Sequence, residues 1–339
     1  MNVDESMTSS RECRICANDA SHARFSAREM MFGTREVFQY FQCIACGCLQ
    51  IDKIPEDIGK YYPVGYGGHS LRRKKSQGKI LSYLQKQRYR NAIFDRGYKV
   101  NRLLSPFVPI THHKVDNALP VIDILKIAGV SRFDARFLDV GCGNWSKWLE
   151  YLSAMGFSRL NGIDPLIAES VSDHGIEIRK QSITDTQGQF DVITYHHSLE
   201  HISDQQEQFL NAKRLLAPGG VLIIRIPIVS GWTWERYGVN WVEMDPPRHL
   251  YLHSRKSVAW LARTAGFELF KTVCDSTEFE FFGSEQYKLD IPLDSPTSYW
   301  KNPESSGFSE GDISKFRKLA EAANREQQGG RAAFFFRAC

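Results

Sequence analysis

From about Leu119 to the end of the chain, short apolar runs alternate with longer amphipathic runs. The apolar runs RFLDV, FDVITYH and VLIIRIPI predict strands, whereas SKWLEYLSAMG and QEQFLNAKRLL predict helices. SRKSVAWLARTAG predicts a further helix, with Ser254 as its N-cap and Gly266 as its stop. Strands that alternate with helices form a mainly parallel sheet covered on both faces. The sequence therefore predicts an α/β domain over residues 119–339.

Two regions of different composition precede this domain. Residues 1–60 hold five of the eight cysteines and predict a small module that is too short to own a sizeable core. Residues 61–118 predict a basic, mainly helical connecting segment. Between Arg72 and Arg102 there are eleven Lys or Arg residues and one acid, although the net charge of the whole chain is only +4.

A glycine turn follows the first strongly apolar strand of the α/β domain. Gly141 permits the bend, and Gly143 lets a ligand approach the backbone closely. The dinucleotide fingerprint would need another glycine at position 146, which is Ser146. The phosphate-binding P-loop would need Gly-Lys-Ser/Thr, which is also missing. Both phosphate-binding motifs are therefore excluded for this turn.

Two acidic residues accompany the turn and indicate another kind of ligand. Asp139 precedes the first glycine, and Asp164 ends the second predicted strand. An acid at the latter position can accept hydrogen bonds from both ribose hydroxyls of a nucleoside. An acid beside the turn suits a positive charge. A nucleoside with a positive charge and no pyrophosphate is S-adenosylmethionine, which we predict as the cofactor.

Four motifs in order, FLDVGCG, GIDP, FDVITYHHSLEHISD and LLAPGGVLIIRIP, resemble those of class I S-adenosylmethionine-dependent methyltransferases. The resemblance implies a Rossmann-like, seven-stranded, mostly parallel sheet with an antiparallel last hairpin. It also implies that Ser182 and Ile183 lie near the adenine. Of two adjacent histidines, which cannot share one side of a strand, we place His197 towards the cofactor. Trp145 stands where the family usually has a third glycine, so the methionine end can be bound differently.

The cysteines of the first module are spaced as in zinc sites. Clustered cysteines in a reducing compartment are metal ligands more often than disulfides. Cys13 and Cys16 form one Cys-x-x-Cys pair, and Cys43 and Cys46 form another. Four thiolates close a structural Zn²⁺ site that stabilises the fold and leaves no open position for chemistry. Cys48 is a possible substitute that we rank below Cys46.

The order of the two cysteine pairs, a following glycine and the stretch KYYPVGYGG resembles methyltransferases of sugar and polysaccharide biosynthesis, including nucleotide-sugar C-methyltransferases. This resemblance implies a small acceptor, such as a nucleotide-linked or lipid-linked sugar. Ribosomal RNA methyltransferases with an amino-terminal zinc module resemble the chain less closely, because their cysteine pairs are usually closer together. A non-catalytic binding protein of the same fold is a further alternative, since the Trp145 indole could block the cofactor cleft.

The sequence of the basic segment is compatible with several kinds of binding partner. Its interleaved aromatic residues would suit RNA, with cations on phosphates and rings on bases. Alternatively, its charges attract an anionic substrate, lie on an anionic membrane surface or form a solvated face. The four aromatic residues are Tyr83, Tyr89, Phe94 and Tyr98.

Methyl transfer is an in-line displacement that needs a base only when the acceptor must lose a proton. In sugar C-methyltransferases a histidine of a similar stretch serves as base, and His249 matches it, with Arg248 in place of the preceding acid. We predict His249 first, His201 second and Tyr195 third as catalytic residues. An aromatic cluster can line an acceptor pocket or form the core of a lid; it comprises Trp232, Trp234, Tyr237 and Trp241.

The location of the protein is expected to be cytoplasmic. No apolar run approaches the ~20 residues that cross a bilayer. The first sixteen residues, MNVDESMTSSRECRIC, contain no apolar segment of the kind found in secretory signals.

Overall fold

The structure is a computed structural model and describes residues 11–62 and 78–339. The described residues form two compact units. The first unit consists of residues 11–62, 197–209 and 225–334. The second unit consists of residues 78–196, 210–224 and 335–339. The predicted division at residues 60 and 118 stays a prediction. Most of KYYPVGYGG and the cations at positions 72–75 lie outside the described residues.

The strands of the described residues are named in chain order. They are β1 (Ala23–Arg28), β2 (Val37–Gln42), β3 (Leu49–Ile51), β4 (Lys114–Val115), β5 (Leu119–Pro120), β6 (Arg136–Val140), β7 (Arg159–Ile163), β8 (Val171–Asp173), β9 (Ile176–Arg179), β10 (Phe190–His196), β11 (Leu216–Pro227), β12 (Tyr251–Leu252), β13 (Phe267–Cys274) and β14 (Arg331–Ala338).

The α-helices of the same residues follow the same convention. They are α1 (Lys79–Phe94), α2 (Tyr98–Leu104), α3 (Val121–Ile127), α4 (Lys147–Met155), α5 (Gln205–Leu215), α6 (Trp232–Tyr237), α7 (Arg255–Thr264), α8 (Phe279–Lys288) and α9 (Glu310–Arg325).

Among the described residues, the largest sheet has eight strands in the order β13-β14-β11-β10-β6-β7-β9-β8. The pairs β10–β6, β6–β7 and β7–β9 are parallel, and β8 runs antiparallel to β9. The predicted α/β fold with a mostly parallel sheet is therefore confirmed, but the predicted number of seven strands is wrong. β8 has only three residues, none of them fully buried, so no apolar run marks it in the sequence.

The extra strand is held by a tight hairpin. β8 and β9 are joined by His174 and Gly175, whose φ angles are 50° and 77°. Two successive residues at positive φ are typical of the turn that matches the twist of a two-residue hairpin. The antiparallel edge strand thus results from turn residues rather than from a buried apolar pattern.

Strand β6 lies at the point where the strand order reverses. Its neighbours are β7 on one side and β10 on the other, and four of its five residues are buried. In such sheets ligands bind beyond the carboxyl ends of the strands at this reversal. Helix α4 begins beyond the turn at the N-cap Ser146, whose Oγ accepts the Leu149 N–H at 3.1 Å. It ends at Gly156 with φ +102°.

A second sheet joins the cysteine-rich residues to the carboxyl-terminal half of the first unit. Its strand order is β1-β2-β3-β12, and Tyr251 of β12 pairs with Gln50 of β3. Tyr40, Phe41 and Tyr251 are fully buried in this unit. The cysteine-rich residues therefore share their core with the rest of the unit, as expected for a segment too short to bury a core alone.

Two details of local structure bear on the predictions. Helix α7 is capped by Ser254, as predicted, and Gly266 follows its end with φ +74°. Strand β11 begins at Leu216, so it starts before the predicted strand VLIIRIPI and includes residues 217–220. No helix in residues 11–62 and 78–339 is long and apolar enough to span a membrane.

Candidate functional site

The glycine turn after β6 adopts the geometry that the sequence predicts for a ligand corner. Gly141 and Gly143 have φ angles of 69° and 64°, a region that favours glycine. The Gly141 N–H donates to the Ile163 carbonyl of β7 at 2.8 Å. This bond fixes the start of the turn to the neighbouring strand.

Asp164 closes the turn from the end of β7. Its Oδ2 accepts the Gly143 N–H at 3.0 Å, and its Oδ1 accepts the Leu166 N–H at 2.8 Å. Each carboxylate oxygen has further lone pairs that can accept another hydrogen bond. The half-buried carboxylate can therefore serve two hydroxyl groups without losing its own backbone bonds.

Asp139 is buried beneath the same turn. Its Oδ2 accepts the Ser146 hydroxyl at 2.6 Å, and its Oδ1 accepts the Thr194 hydroxyl at 2.7 Å. Burial raises the pKa of Asp139 from 3.8 to about 6, although the two hydroxyl groups oppose this rise. Asp139 thus links the turn to α4 and β10, and it brings negative charge beneath Gly141 and Gly143.

The predicted adenine residues lie on the segment that follows β9. Ile183 is buried, and its carbonyl accepts a hydrogen bond from Arg214 Nη2 at 3.1 Å. Ser182 Oγ donates to Asp185 Oδ2 at 2.6 Å, which shapes the local turn. These contacts order the segment in the same unit as the glycine turn.

Trp145 does not lie free in the corner. Its side chain is buried, and its indole Nε1–H donates to Glu150 Oε2 at 3.4 Å. The partner belongs to the first turn of α4. The indole is therefore held against the helix that follows the turn.

The end of β10 carries the next predicted residues. Tyr195 is buried, and burial raises its pKa, which disfavours the phenolate that a base would need. His196 packs against Trp148, with the ring centroids 5.0 Å apart. His197 begins the next segment at φ +50°, and its N–H donates to the Arg225 carbonyl at 2.9 Å.

Glu200, which follows β10 in the motif FDVITYHHSLEHISD, is a fully buried carboxyl group. Its Oε1 lies 3.3 Å from His197 Nδ1, and its backbone carbonyl accepts the Leu250 N–H at 2.8 Å. Burial raises the pKa of Glu200 to about 8. Neither carboxyl oxygen has a hydrogen-bond partner among the described residues.

His201 and His249, the two histidines predicted as candidates for the base, lie side by side. Their ring centroids are 4.8 Å apart in an edge-to-face arrangement. His249 Nδ1 lies 2.7 Å from the Glu243 carbonyl, and His201 Nδ1 lies 2.9 Å from the Arg248 carbonyl. A carbonyl only accepts, so each Nδ1 carries the hydrogen, and each Nε2 keeps its lone pair.

The surroundings keep both imidazoles neutral. Burial and, to a smaller extent, the neighbouring His249 lower the pKa of His201 to about 3. Burial also lowers the pKa of His249, whereas Asp245 opposes this shift. Tyr62 Oη lies 3.1 Å from His201 Nδ1. Neutral imidazoles can accept protons or bind metal ions at neutral pH.

Arg248, which stands in place of an acid of the related motif, is a buried structural cross-link. Its guanidinium pairs with Glu29 Oε1 at 2.8 Å, and its Nε donates to Asp245 Oδ2 at 2.9 Å. Nη1 also donates to the Tyr61 carbonyl at 3.2 Å. The arginine thus ties the loop that carries His249 to residues of the cysteine-rich segment.

The predicted aromatic cluster packs inside the first unit. Trp241 and Trp234 contact each other with ring centroids 6.4 Å apart, and Phe25 of β1 packs against Trp234 at 5.3 Å. The Tyr237 hydroxyl donates to Glu285 Oε1 at 3.0 Å. Trp234, Tyr237 and Trp241 are all buried, and Trp234 and Tyr237 also line a cavity of about 330 Å³ together with Phe25, so both interpretations of the cluster stay open.

The four predicted metal ligands come together. Their Sγ atoms all lie within 4.8 Å of one another. Cys13 and Cys46 are separated by 3.6 Å between sulfurs, as are Cys16 and Cys43. In a tetrahedral site with Zn–S bonds of ~2.3 Å the sulfurs would be about 3.8 Å apart. The described residues therefore offer a donor set that fits a structural zinc ion.

The two cysteine pairs sit on equivalent turns. The residue after each pair has positive φ, 55° at Ala17 and 75° at Gly47. The N–H groups of Ala17 and Gly47 donate to the Cys13 and Cys43 carbonyls, each at 2.8 Å. Cys48 lies apart from the four, with Sγ 3.8 Å from His253 Nδ1. This arrangement agrees with the choice of Cys46 over Cys48.

The basic segment is described from residue 78 onward. Tyr89 is buried and donates to the Thr111 carbonyl at 3.0 Å, and Phe94 packs on Phe133 at 4.8 Å. Tyr83 and Tyr98, by contrast, are 62% and 67% exposed. Two of the four aromatic residues are therefore used in packing, and two face solvent beside exposed cations. The partner of this surface stays open.

A family model described as a methyltransferase domain matches residues 85–272. A ubiquinone biosynthesis O-methyltransferase of Caulobacter sp. (strain K31) is 30% identical over 101 residues, which cover 26% of this chain and 39% of that relative. The chain thus spans well under half of the length of this curated relative.

Solved structures of low sequence identity are also similar. One is phosphoethanolamine N-methyltransferase 2 of Haemonchus contortus in complex with S-adenosyl-L-methionine, with 18% identity, a TM-score of 0.39, and coverage of 64% of this chain and 51% of that chain. Another is an S-adenosylmethionine-dependent methyltransferase from Mesorhizobium loti, with 17% identity, a TM-score of 0.38, and coverage of 60% and 91%.

Proposed function

This chain belongs to the methyltransferase domain family, whose model matches more than half of its residues, and we propose that it transfers a methyl group from S-adenosylmethionine to a small acceptor. The observation that carries the proposal is the corner after β6, where the Gly143 N–H is bonded to Asp164 at the reversal of strand order. A corner of this kind offers backbone and carboxylate to a nucleoside rather than a cradle to a phosphate.

Each cofactor group has a matching feature in the second unit. The Asp164 carboxylate accepts the ribose hydroxyls with the lone pairs that its backbone bonds leave available. The sulfonium and amino acid end lies over Gly141 and Gly143, where the buried charge of Asp139 is attractive. Ser182 and Ile183 contact the adenine. His197 belongs to the first unit, and its predicted orientation towards the cofactor stays a proposal.

The acceptor is proposed to be a small, sugar- or glycan-related molecule. His249 is the first candidate for the base, because its Nδ1 is bonded to a carbonyl and its Nε2 can accept a proton. His201 has the same arrangement and ranks second. Tyr195 ranks third, because burial raises its pKa.

A structural zinc ion on Cys13, Cys16, Cys43 and Cys46 completes the proposal. The four thiolates would hold it without an open position, so the ion would stabilise the fold and take no part in methyl transfer. The turns of the two pairs and the sulfur distances support this role.

Calorimetry with S-adenosylmethionine tests the proposal. Asp164→Ala should weaken binding by about 100-fold, since it removes two hydrogen bonds to a charged group worth at least ~1.5 kcal/mol each. Asp134→Ala is the matched control, because this carboxylate is exposed and pairs with Arg132. Unchanged affinity of Asp164→Ala, or no heat with the wild-type protein, would refute the assignment.

A further inference from the structure

Three side chains of the first unit form a second cluster of metal-binding groups. Glu200, His201 and His249 each offer a ligand atom, and these three atoms lie within 4.8 Å of one another. Glu200 and His201 belong to a short 3-10 turn after β10, and His249 lies on the loop before β12. The Leu250 N–H donates to the Glu200 carbonyl at 2.8 Å, which joins the two segments.

Both histidines are oriented as metal ligands usually are. A ligating histidine commonly donates its other ring N–H to a backbone carbonyl or a carboxylate, which fixes the tautomer and the ring. His201 and His249 both donate Nδ1–H to carbonyls, those of Arg248 and Glu243. Their Nε2 atoms are left as the nitrogens that a metal ion can take.

Glu200 supplies the independent observation. Its side chain is 0% exposed, and neither carboxyl oxygen has a hydrogen-bond partner in the described part of the chain. Its Oε1 lies 3.3 Å from His197 Nδ1, and Arg225 is near enough to lower the pKa of the Glu200 carboxyl group, whereas Glu243 and Asp245 raise it. An unpartnered buried carboxylate costs several kcal/mol, so without a cation the Glu200 carboxyl group keeps its proton, and a bound cation would displace that proton. A bound divalent ion would satisfy both the carboxylate and the two imidazoles.

We propose that Glu200, His201 and His249 bind a divalent transition-metal ion such as Zn²⁺, separate from the four-cysteine site. Two imidazoles and one carboxylate are the donor set of catalytic zinc and of other first-row ions. Tetrahedral bonds of ~2.1 Å put ligand atoms about 3.4 Å apart. Side-chain rotations that move the ligand atoms by about 1 Å would therefore bring them to bonding distance of one ion. Three protein ligands leave an open position for water or for an acceptor oxygen.

The role of this metal site in methyl transfer rests on the proposed function. In that role the ion would bind an acceptor hydroxyl group, and His249 would be a metal ligand instead of the base. The metal-binding claim itself concerns residues of the first unit alone. The predicted acceptor class is therefore one with an oxygen donor, such as a sugar hydroxyl.

The test is a Co²⁺ titration of the full-length protein that already holds one equivalent of zinc, followed by calorimetry and visible absorption. One further equivalent of Co²⁺ should bind and show d–d absorption without a thiolate charge-transfer band, because the site contains no sulfur. Absence of the further equivalent, or a spectrum with the thiolate band alone, would overturn the proposal.

Variants assign the ion to its ligands. Glu200→Gln and His249→Gln should each lose the further equivalent and keep the zinc of the cysteine site. His174→Gln is the control, because this histidine is exposed on the β8–β9 hairpin and should keep both ions. Retention of the further equivalent by Glu200→Gln would overturn the proposal. Should Glu200→Gln fail to retain zinc and fold, His201→Gln and the wild-type titration decide the question.

Calorimetric titration of the same samples with S-adenosylmethionine distinguishes failure of the metal-site proposal from failure of the proposed methyltransferase function. A second ion without cofactor heat would leave the metal site standing and refute the methyltransferase activity. Cofactor heat without a second ion would refute the metal site and leave His249 as the proposed base.

Discussion

Replacing Asp139 by Asn should make the protein more stable at neutral pH. Asp139 is buried in β6, and the pKa of its carboxyl group is about 6 in the folded protein, against 3.8 in an exposed one. The folded state therefore binds the proton more tightly than the unfolded state does. The free energy of unfolding falls as the pH rises from about 4 to about 6, and the loss is complete above that range.

The size of the effect follows from the two pKa values. Their difference corresponds to about 3 kcal/mol at 1.36 kcal/mol per pH unit. At pH 5 the Asp139 carboxyl group is protonated in most folded molecules, and the free energy of unfolding is lowered by about 1.6 kcal/mol. At pH 7.5 it is lowered by about 3 kcal/mol. Asn is a neutral residue of the same shape, and the Ser146 and Thr194 hydroxyls can accept from as well as donate to its amide.

Urea denaturation of wild type and Asp139→Asn at pH 5 and pH 7.5 checks this reasoning. The difference in the free energy of unfolding between Asp139→Asn and wild type should increase by about 1.4 kcal/mol, in favour of the variant, from pH 5 to pH 7.5. The exposed control Asp134→Asn should differ from wild type by less than about 1 kcal/mol at either pH. A difference between Asp139→Asn and wild type that does not change with pH would refute the assignment of the buried charge.

The same variant also tests why the charge is retained. A buried carboxylate that destabilises the fold by about 3 kcal/mol is expected to serve the ligand, as in other trade-offs between stability and function. Asp139→Asn should therefore bind S-adenosylmethionine at least about 10-fold more weakly, although the free protein is more stable. Equal affinity would indicate a purely structural role for Asp139.

Three further predictions concern the rest of the structure. Changing Cys13 and Cys16 to Ser should remove one equivalent of zinc by metal analysis and lower the melting temperature, since a closed thiolate site stabilises the fold; equal metal content would contradict the site. Arg248→Met should cost about 3–5 kcal/mol in urea denaturation, because two buried carboxylates lose their partner, and a neutral result would contradict the cross-link. Gly162→Ala should cost about 1–3 kcal/mol, because a Cβ there would lie 2.6 Å from a cysteine sulfur of the glycine turn, whereas Gly311→Ala in the exposed first turn of α9 should be near neutral.

Features that depend on short-range patterns could be predicted from the sequence. The alternation of apolar and amphipathic runs predicts the parallel sheet, because a buried strand and a covering helix have different periods. The proximity of Asp139 and Asp164 to one turn follows from the rule that parallel strands end at one edge. The spacing of the two cysteine pairs likewise predicts their meeting at one site.

Features that depend on pairing between distant segments could not be predicted. Glu29 and Arg248 are separated by 219 positions, and nothing in either local pattern indicates that their side chains meet. The burial of Glu200 was equally hidden, since an acid in a polar stretch is usually exposed. Strand β8 escaped prediction because none of its three residues is buried and its turn residues determine the pairing.

The pairing of β12 with β3 has a consequence for the order of synthesis. The second sheet, which begins with β1 at Ala23, is completed only by β12, which consists of Tyr251 and Leu252. About three quarters of the polypeptide must therefore leave the ribosome before the cysteine-rich segment can complete its hydrogen bonds. Until then the nascent chain presents an open strand edge, and a fragment that stops short of Tyr251 would be a natural client for chaperones.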